Sequence, residues 1–281
     1  MRKNASVSQR RAPGTGPASP AIVVENACRH YELDDDSQVM ALSGVDLTIP
    51  SGSFVSIIGP SGCGKSTLLR LIGGLEEPDR GHVQVCGTTP REAAELKALG
   101  LVPQGPSLLP WLTVLKNVSL PAKVNRKHNR TPLPDMEDLL RRAGLGEVMH
   151  KLPSQLSGGM RQRAAIVRAF GLRPDVMLMD EPFSALDEFT REALQTQLLE
   201  LWSETRSTVV FVTHSISEAV RLSDTVVVMA PRPGRIIDVI DVDLPRPRNA
   251  ELVESPEFHA YELRIREQLR FAFGHSEAGG R

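Results

Sequence analysis

The run Gly59-Pro60-Ser61-Gly62-Cys63-Gly64-Lys65-Ser66-Thr67 satisfies the pattern GxxxxGK[ST]. Its glycines let backbone N–H groups turn inward, and a helix starting after them adds the positive end of its dipole. Such a turn cradles phosphate oxygens. Lys65 can reach the β- and γ-phosphates of a nucleotide, the Ser66 hydroxyl is placed to ligand Mg²⁺, and Thr67 falls towards the α-phosphate. Cys63 offers its backbone N–H, and we assign its thiol no redox role.

A second group of residues supplies the remaining chemistry. Val176-Met177-Leu178-Met179 reads as an apolar strand that ends in Asp180 and Glu181. A carboxylate fixed at a strand end holds a cation, so Asp180 is assigned to the metal. The adjacent Glu181 is assigned to the attacking water as general base. The expected reaction is hydrolysis of ATP, with Mg²⁺ as cofactor.

These residues need a scaffold. Phe54-Val55-Ser56-Ile57-Ile58 is a compact apolar strand feeding the glycine-rich loop, and residues 66–75 read as the helix after it, with Gly73 and Gly74 near its end. Short strands at 22–24, 45–49 and 82–85 suggest a small antiparallel layer. Strands at 176–179, 209–213 and 225–229 alternate with helices such as 191–203, which implies a parallel sheet with helices on its faces. Between 105 and 165 the pattern turns helical and proline-interrupted, as an insertion. Within it, the basic run from Asn125 to Arg130 reads as a solvated loop. The fold class expected is α/β: a P-loop NTPase core with a parallel sheet, an N-terminal antiparallel β layer and an inserted helical subdomain. Residues 21–240 form this domain, and 241–281 form a tail with a helix at 258–273.

Composition narrows the function. Of 281 residues, 41% are hydrophobic and 24% charged, ordinary for a soluble globular chain, and the formal net charge of -1 gives no electrostatic case for nucleic acid. Three cysteines, Cys28, Cys63 and Cys86, are too few and scattered for a disulfide framework or metal site, so reduced thiols in a cytosolic protein are expected. No stretch approaches the ~20 apolar residues needed to cross a bilayer. The first twenty residues are rich in Arg, Ser, Pro and Gly, lack an apolar segment and do not resemble a secretory signal; residues 1–20 are expected to be a disordered extension. A membrane role would therefore come through a partner.

Leu156-Ser157-Gly158-Gly159-Met160, followed by Arg161-Gln162-Arg163, resembles the signature of the ATP-binding-cassette family, with Met160 where Gln is frequent. The resemblance extends over roughly residues 21–240. It implies that Gln104, in Leu101-Val102-Pro103-Gln104, is a glutamine that senses the metal and the attacking water, although Pro103 stands where the family has an aromatic. It implies that Ser184-Ala185-Leu186-Asp187 crosses between two subunits, that His214 contacts the γ-phosphate, and that Tyr31 stacks on adenine. By the same resemblance, Ser157, Gly158 and Gly159 of one copy complete the ATP site of the other in a head-to-tail homodimer.

Leu108 to Val114, Met179 to Asp187, Arg232-Pro233-Gly234-Arg235-Ile236 and Leu244-Pro245-Arg246-Pro247-Arg248 together resemble the nitrate/sulfonate/taurine importer ATPases. That implies two integral-membrane permease subunits, an extracytoplasmic solute-binding protein, and a peripheral place on the cytoplasmic face of a prokaryotic inner membrane. A permease coupling helix would dock near Gln104 and Leu108 to Val114. The alternative is a soluble ATPase of the same family acting on nucleic acid or ribosomes. Such relatives commonly carry paired cassettes or long coiled-coil insertions, and neither is present in this sequence.

Overall fold

The computed structural model describes residues 19–32 and 37–278, so the extension expected at 1–20 lies outside the described residues except for Ser19 and Pro20. In chain order come β1 (Pro20–Glu32), β2 (Gln38–Pro50), β3 (Phe54–Ile58), α1 (Lys65–Ile72), β4 (Arg80–Val85), α2 (Pro90–Glu95) and β5 (Leu99–Val102). Next are α3 (Val114–Lys123), α4 (Met136–Arg142), α5 (Gly158–Phe170), β6 (Val176–Asp180) and α6 (Glu188–Thr205). The chain then forms β7 (Thr208–Thr213), α7 (Ile216–Leu222), β8 (Thr225–Ala230), β9 (Arg235–Asp241), α8 (Ala250–Val253) and α9 (Pro256–Ala278). Contacts divide it into two units, one from the described residues of Met1–Arg91 and Thr208–Arg281, the other Glu92–Ser207.

The first unit holds an antiparallel layer in the order β2-β1-β4. Ile22 and Val24 of β1 face Ile49 and Leu47 of β2 and Val85 and Val83 of β4, and this alternating set is buried. β1 runs well beyond the expected 22–24 because it passes its polar residues through bulges, with a register shift between Val24 and Ala27 and Asn26 at φ 49°. In the second layer β3 lies between β7 and β8, parallel to both. All five residues of β3 are buried, four of them apolar as a strand covered on both faces requires, and the Ser56 hydroxyl is paired with that of Ser223.

The parallel expectation is incomplete at one strand. β9 pairs antiparallel with β8, from Thr225 opposite Asp241 to Ala230 opposite Arg235. α7 and α9 place Ala219, Val220, Phe258 and Ile265 in one core with Ile58, Val226, Val228 and Ile240. Arg248, 3% exposed, fastens the connection to α9 by donating to the carbonyls of Ser223 at 2.6 Å and Val242 at 3.1 Å. The Leu244 to Arg248 segment therefore has a packing role, independent of any resemblance.

In the second unit β5 and β6 pair in parallel, with Leu99 opposite Val176 and Val102 opposite Met179. Val114 and Val118 of α3, Leu140 of α4, and Ala164 and Val167 of α5 form its helical core. The basic run is more than a solvated loop. Arg126 and Lys127 are exposed, but Asn129 donates to the Ala122 carbonyl at 2.9 Å and accepts from buried Lys97. Among the described residues, no helix is long and apolar enough to cross a membrane.

Candidate functional site

The phosphate-type loop is held from inside the first unit. β3 delivers Gly59, where a Cβ would lie 2.6 Å from the Cys63 Sγ and 2.7 Å from the Met229 carbonyl oxygen. Gly64 caps α1 at φ 90°, and its absent Cβ would meet the Ala41 oxygen at 2.8 Å. Gly62 also takes a left-handed conformation, φ 74°, with nothing within 4 Å of its Cβ position. The Cys63 N–H donates to the Pro60 carbonyl at 3.3 Å, closing the turn.

Lys65 is 6% exposed, and its Nζ donates to the carbonyls of Gly59 at 2.8 Å and Pro60 at 3.0 Å. The ammonium is thus wrapped by the loop it serves, poised at backbone oxygens that a phosphate can replace. Thr67 is buried and Ser66 half-buried. Burial pushes the Cys63 thiol up, which keeps it protonated.

Sequence reasoning passed over Gly234. A Cβ there would stand 2.4 Å from the Cys63 carbonyl oxygen and 2.5 Å from that of Ala41. Its N–H donates to Ala41 and its carbonyl accepts from Ser43, both at 3.0 Å. The segment Arg232-Pro233-Gly234 therefore backs the loop directly, and only glycine permits the approach. The visible signal was the Pro-Gly turn, read earlier as a mark of resemblance.

Tyr31 and His214 belong to the same unit. The Tyr31 hydroxyl donates to Glu76 Oε2 at 2.6 Å and lies 3.4 Å from Thr67 Oγ1. His214 is exposed and follows directly on β7. Its backbone is anchored by Thr213, whose hydroxyl donates to buried Glu218 at 2.5 Å and accepts from the Ser215 N–H at 3.0 Å. The Ser215 hydroxyl in turn accepts from the Glu218 N–H at 3.3 Å. Ser-x-x-Glu is a helix-start signal, and here its carboxylate turns back to fix the loop.

The second unit carries the other assigned groups. Gln104 is exposed just past β5, and its amide donates to Glu181 Oε2 at 3.5 Å, so these two meet across 77 residues of sequence. Arg168 of α5 donates to the carbonyls of Pro106 at 3.1 Å and Ser107 at 2.7 Å, tethering the chain after Gln104. Asp180 ends β6 and is half-buried. Glu181 takes φ 44°, an uncommon region for a residue with a Cβ, and the Ser184 N–H and hydroxyl both return to its carbonyl at 3.2 and 3.0 Å. That turn sets the direction of the carboxylate against the strand.

Ser157 caps α5, accepting from the Met160 N–H at 3.3 Å, and Arg161 clamps the preceding Leu156 carbonyl at 2.6 Å. Gly158 and Gly159 open the helix, the first exposed and the second buried. Gly159 packs so that a Cβ would lie 2.8 Å from the Thr190 methyl. Asp187 caps α6, and backbone and side-chain hydrogen bonds from Thr190 hold its carboxyl below the usual range. Ser157, Gly159 and Asp187 thus stand at neighbouring helix starts.

The family model described as "ABC transporter" matches residues 42–184. An uncharacterized ABC transporter ATP-binding protein of Methanocaldococcus jannaschii is 41% identical over 244 residues, covering 87% of this chain and 90% of that protein. A nitrate import ATP-binding protein of Synechocystis is 43% identical over 247 residues, 86% of this chain but 36% of that longer protein. Among solved structures, a dimeric ATP-binding cassette in a post-hydrolysis state with ADP and Pi has a TM-score of 0.69 at 33% identity, covering 80% of this chain and 100% of that one.

Proposed function

The chain belongs to the ABC transporter family and is its ATPase, and from that premise we propose that it drives solute import through a separate membrane permease. The observation that carries the reading is the loop from Gly59 to Thr67, with its buried lysine held at 2.8 Å by a backbone oxygen that phosphate would displace. The nitrate-importing relative supports a small solute such as nitrate, a sulfonate, taurine or a related compound.

Lys65 moves from the Gly59 and Pro60 carbonyls onto the terminal phosphates of ATP, while backbone N–H groups from Gly62 to Thr67 bind the remaining oxygens. Tyr31 stacks on the adenine. Glu181 takes the proton of the attacking water, and Gln104, already bonded to it, orients that water. His214 contacts the γ-phosphate from the loop that Thr213 and Glu218 fix.

Among the described residues no three His, Cys, Asp or Glu side chains gather to hold a metal ion. Mg²⁺ takes oxygen donors, typically one or two from the protein, with substrate phosphates and water supplying others. Ser66, Asp180 and Gln104 supply a hydroxyl, a carboxylate and an amide, a fitting hard-donor set. When bound, Mg²⁺ would neutralise charge on the phosphates.

Two copies act together in this reading. Ser157, Gly158 and Gly159 of one copy complete the phosphate cage of the other, and Asp187 sits on the segment that crosses between them. ATP then favours the closed homodimer because only that state makes both sets of contacts. Two permease subunits receive the motion, and an extracytoplasmic binding protein delivers the solute. The docking region is supported by Trp111, 71% exposed on a segment that buried Asn117 clamps through the Leu109 N–H at 2.7 Å and the Leu112 carbonyl at 2.9 Å. The place of action is the cytoplasmic face of a prokaryotic membrane, with no nucleic acid involved.

Glu181→Gln tests the chemistry. Turnover should fall by about a hundredfold or more, the usual scale for a lost general base, while ATP accumulates in a stable dimer visible by size-exclusion chromatography. Near-normal turnover would remove Glu181 from its role. Purification from membranes tests the coupling: a co-purifying permease is expected, and stable association with ribosomes or DNA instead would overturn import.

A further inference from the structure

Tyr31 is held by more than its neighbours in β1. Glu76, just beyond α1, accepts its hydroxyl at 2.6 Å. The same carboxylate accepts Arg29 Nε at 3.2 Å and Arg70 Nη1 at 3.3 Å. Arg29 lies two residues before Tyr31, and its guanidinium carbon sits 5.2 Å from the centre of the tyrosine ring, covering one face. Its remaining reach is taken by Asp79, whose Oδ1 accepts Nη1 at 2.8 Å.

Glu76 is itself fixed. Its N–H and that of Leu75 both donate to the Arg70 carbonyl, at 3.4 and 3.0 Å, closing the end of α1. Burial pushes its carboxyl up, but hydrogen bonds from Tyr31, Arg29 and Arg70 and the charge of Arg29 outweigh that. It stays below the ordinary carboxylate range and so remains a charged acceptor at neutral pH. The side chain is only 17% exposed, which keeps these bonds from being screened away. The helix that opens at Lys65 is thereby tied at its far end to the ring proposed to meet the base. A half-buried, charged acceptor orients a phenol more firmly than a neutral one.

We propose that Glu76 and Arg29 are positioning residues for the base of ATP, Glu76 fixing the Tyr31 hydroxyl and Arg29 backing one face of the ring. The inference rests on the reading of Tyr31 as the adenine-stacking residue. It assigns the network no part in chemistry at the phosphates: its whole effect passes through the ring.

Binding of ATP and of inorganic tripolyphosphate, measured by titration, separates base from phosphate. Glu76→Ala should weaken ATP about three- to tenfold, the scale of one hydrogen bond, and leave tripolyphosphate binding as it was. Steady-state hydrolysis should show the same change in KM with little in kcat. Tyr31→Phe, which keeps the ring and loses the hydroxyl, should match it. Glu76→Gln preserves shape and an acceptor oxygen, so it should recover most of the affinity and guard against a folding defect. In a Tyr31→Ala background, Glu76→Ala should add nothing. The inference is overturned if Glu76→Ala spares ATP affinity while Tyr31→Ala weakens it, or if tripolyphosphate weakens as much as ATP. Should Tyr31→Ala itself leave ATP affinity intact, the stacking reading fails first and carries this inference with it.

Discussion

Three glycines at or behind the phosphate loop and the two that open α5 answer differently to an added methyl group. In the first unit, a Cβ on Gly59, Gly64 or Gly234 would meet backbone oxygens at 2.7, 2.8 and 2.4 Å. In the second, Gly158 has nothing within 4 Å, and Gly159 meets a side-chain methyl at 2.8 Å. The phosphate loop is therefore shaped by the interior of its own unit. At Gly158 no local packing demands glycine.

Gly64→Ala should give the largest effect. The residue sits at φ 90°, where a side chain costs about 1–3 kcal/mol before any clash, and its Cβ would press on the Ala41 oxygen and Leu42. The Lys65 cradle cannot survive that shift, so ATP affinity should drop more than tenfold in a nucleotide titration. Gly62→Ala is the comparison: at φ 74° it carries the same backbone cost of about 1–3 kcal/mol, but with open space around it there is no clash, so its loss of ATP affinity should be smaller. Equal losses from both would break the contrast, because crowding would then decide nothing.

The same contrast explains what was legible beforehand. The loop and the strand ending in Asp180 are local: backbone chemistry written at fixed spacing within a few residues. The helix caps at Asp135, Ser157 and Asp187 are equally local, each a side-chain oxygen accepting from the next turn, yet Asp187 was not read as a cap and its helix was expected only from 191. Contacts closed by distant pairing were not legible. Tyr31 finds Glu76 across 45 positions and Gln104 finds Glu181 across 77, and neither partner's type announces the other. β9 was missed because an antiparallel edge strand depends on the neighbour it pairs with, and β1 was read short because its bulges break the alternation. Arg248 looked like part of a family tail, while its buried bonds to carbonyls make it a staple.

Ser157→Ala probes the other side of the comparison with a smaller effect. It removes the α5 cap, a loss of about 1 kcal/mol in stability, and in the dimer reading also a hydrogen bond to the partner's phosphate. Ser157→Asn keeps a cap. Both variants should lower ATPase activity about tenfold or more, as for a lost bond to a charged group, while binding ATP normally as monomers. Only the alanine variant should melt earlier. If asparagine restores activity along with stability, Ser157 is a helix cap and the contrast between the units dissolves.

Gly158→Ala is the smallest change and the most pointed. At the first position of α5, exposed and with space for a methyl group, alanine is the better helix former by up to about 1 kcal/mol. Thermal melting should therefore be unchanged or rise by roughly 1–2 °C. Activity should move the opposite way. In the proposed dimer a γ-phosphate from the partner copy comes close to the N–H groups at this helix start, where an added Cβ would crowd it, so ATP-dependent dimerisation and hydrolysis should fall. A variant both more stable and less active separates the physics of the fold from that of the site. If it is more stable and fully active, the glycine answers to nothing outside its own unit, and the composite site loses its main support.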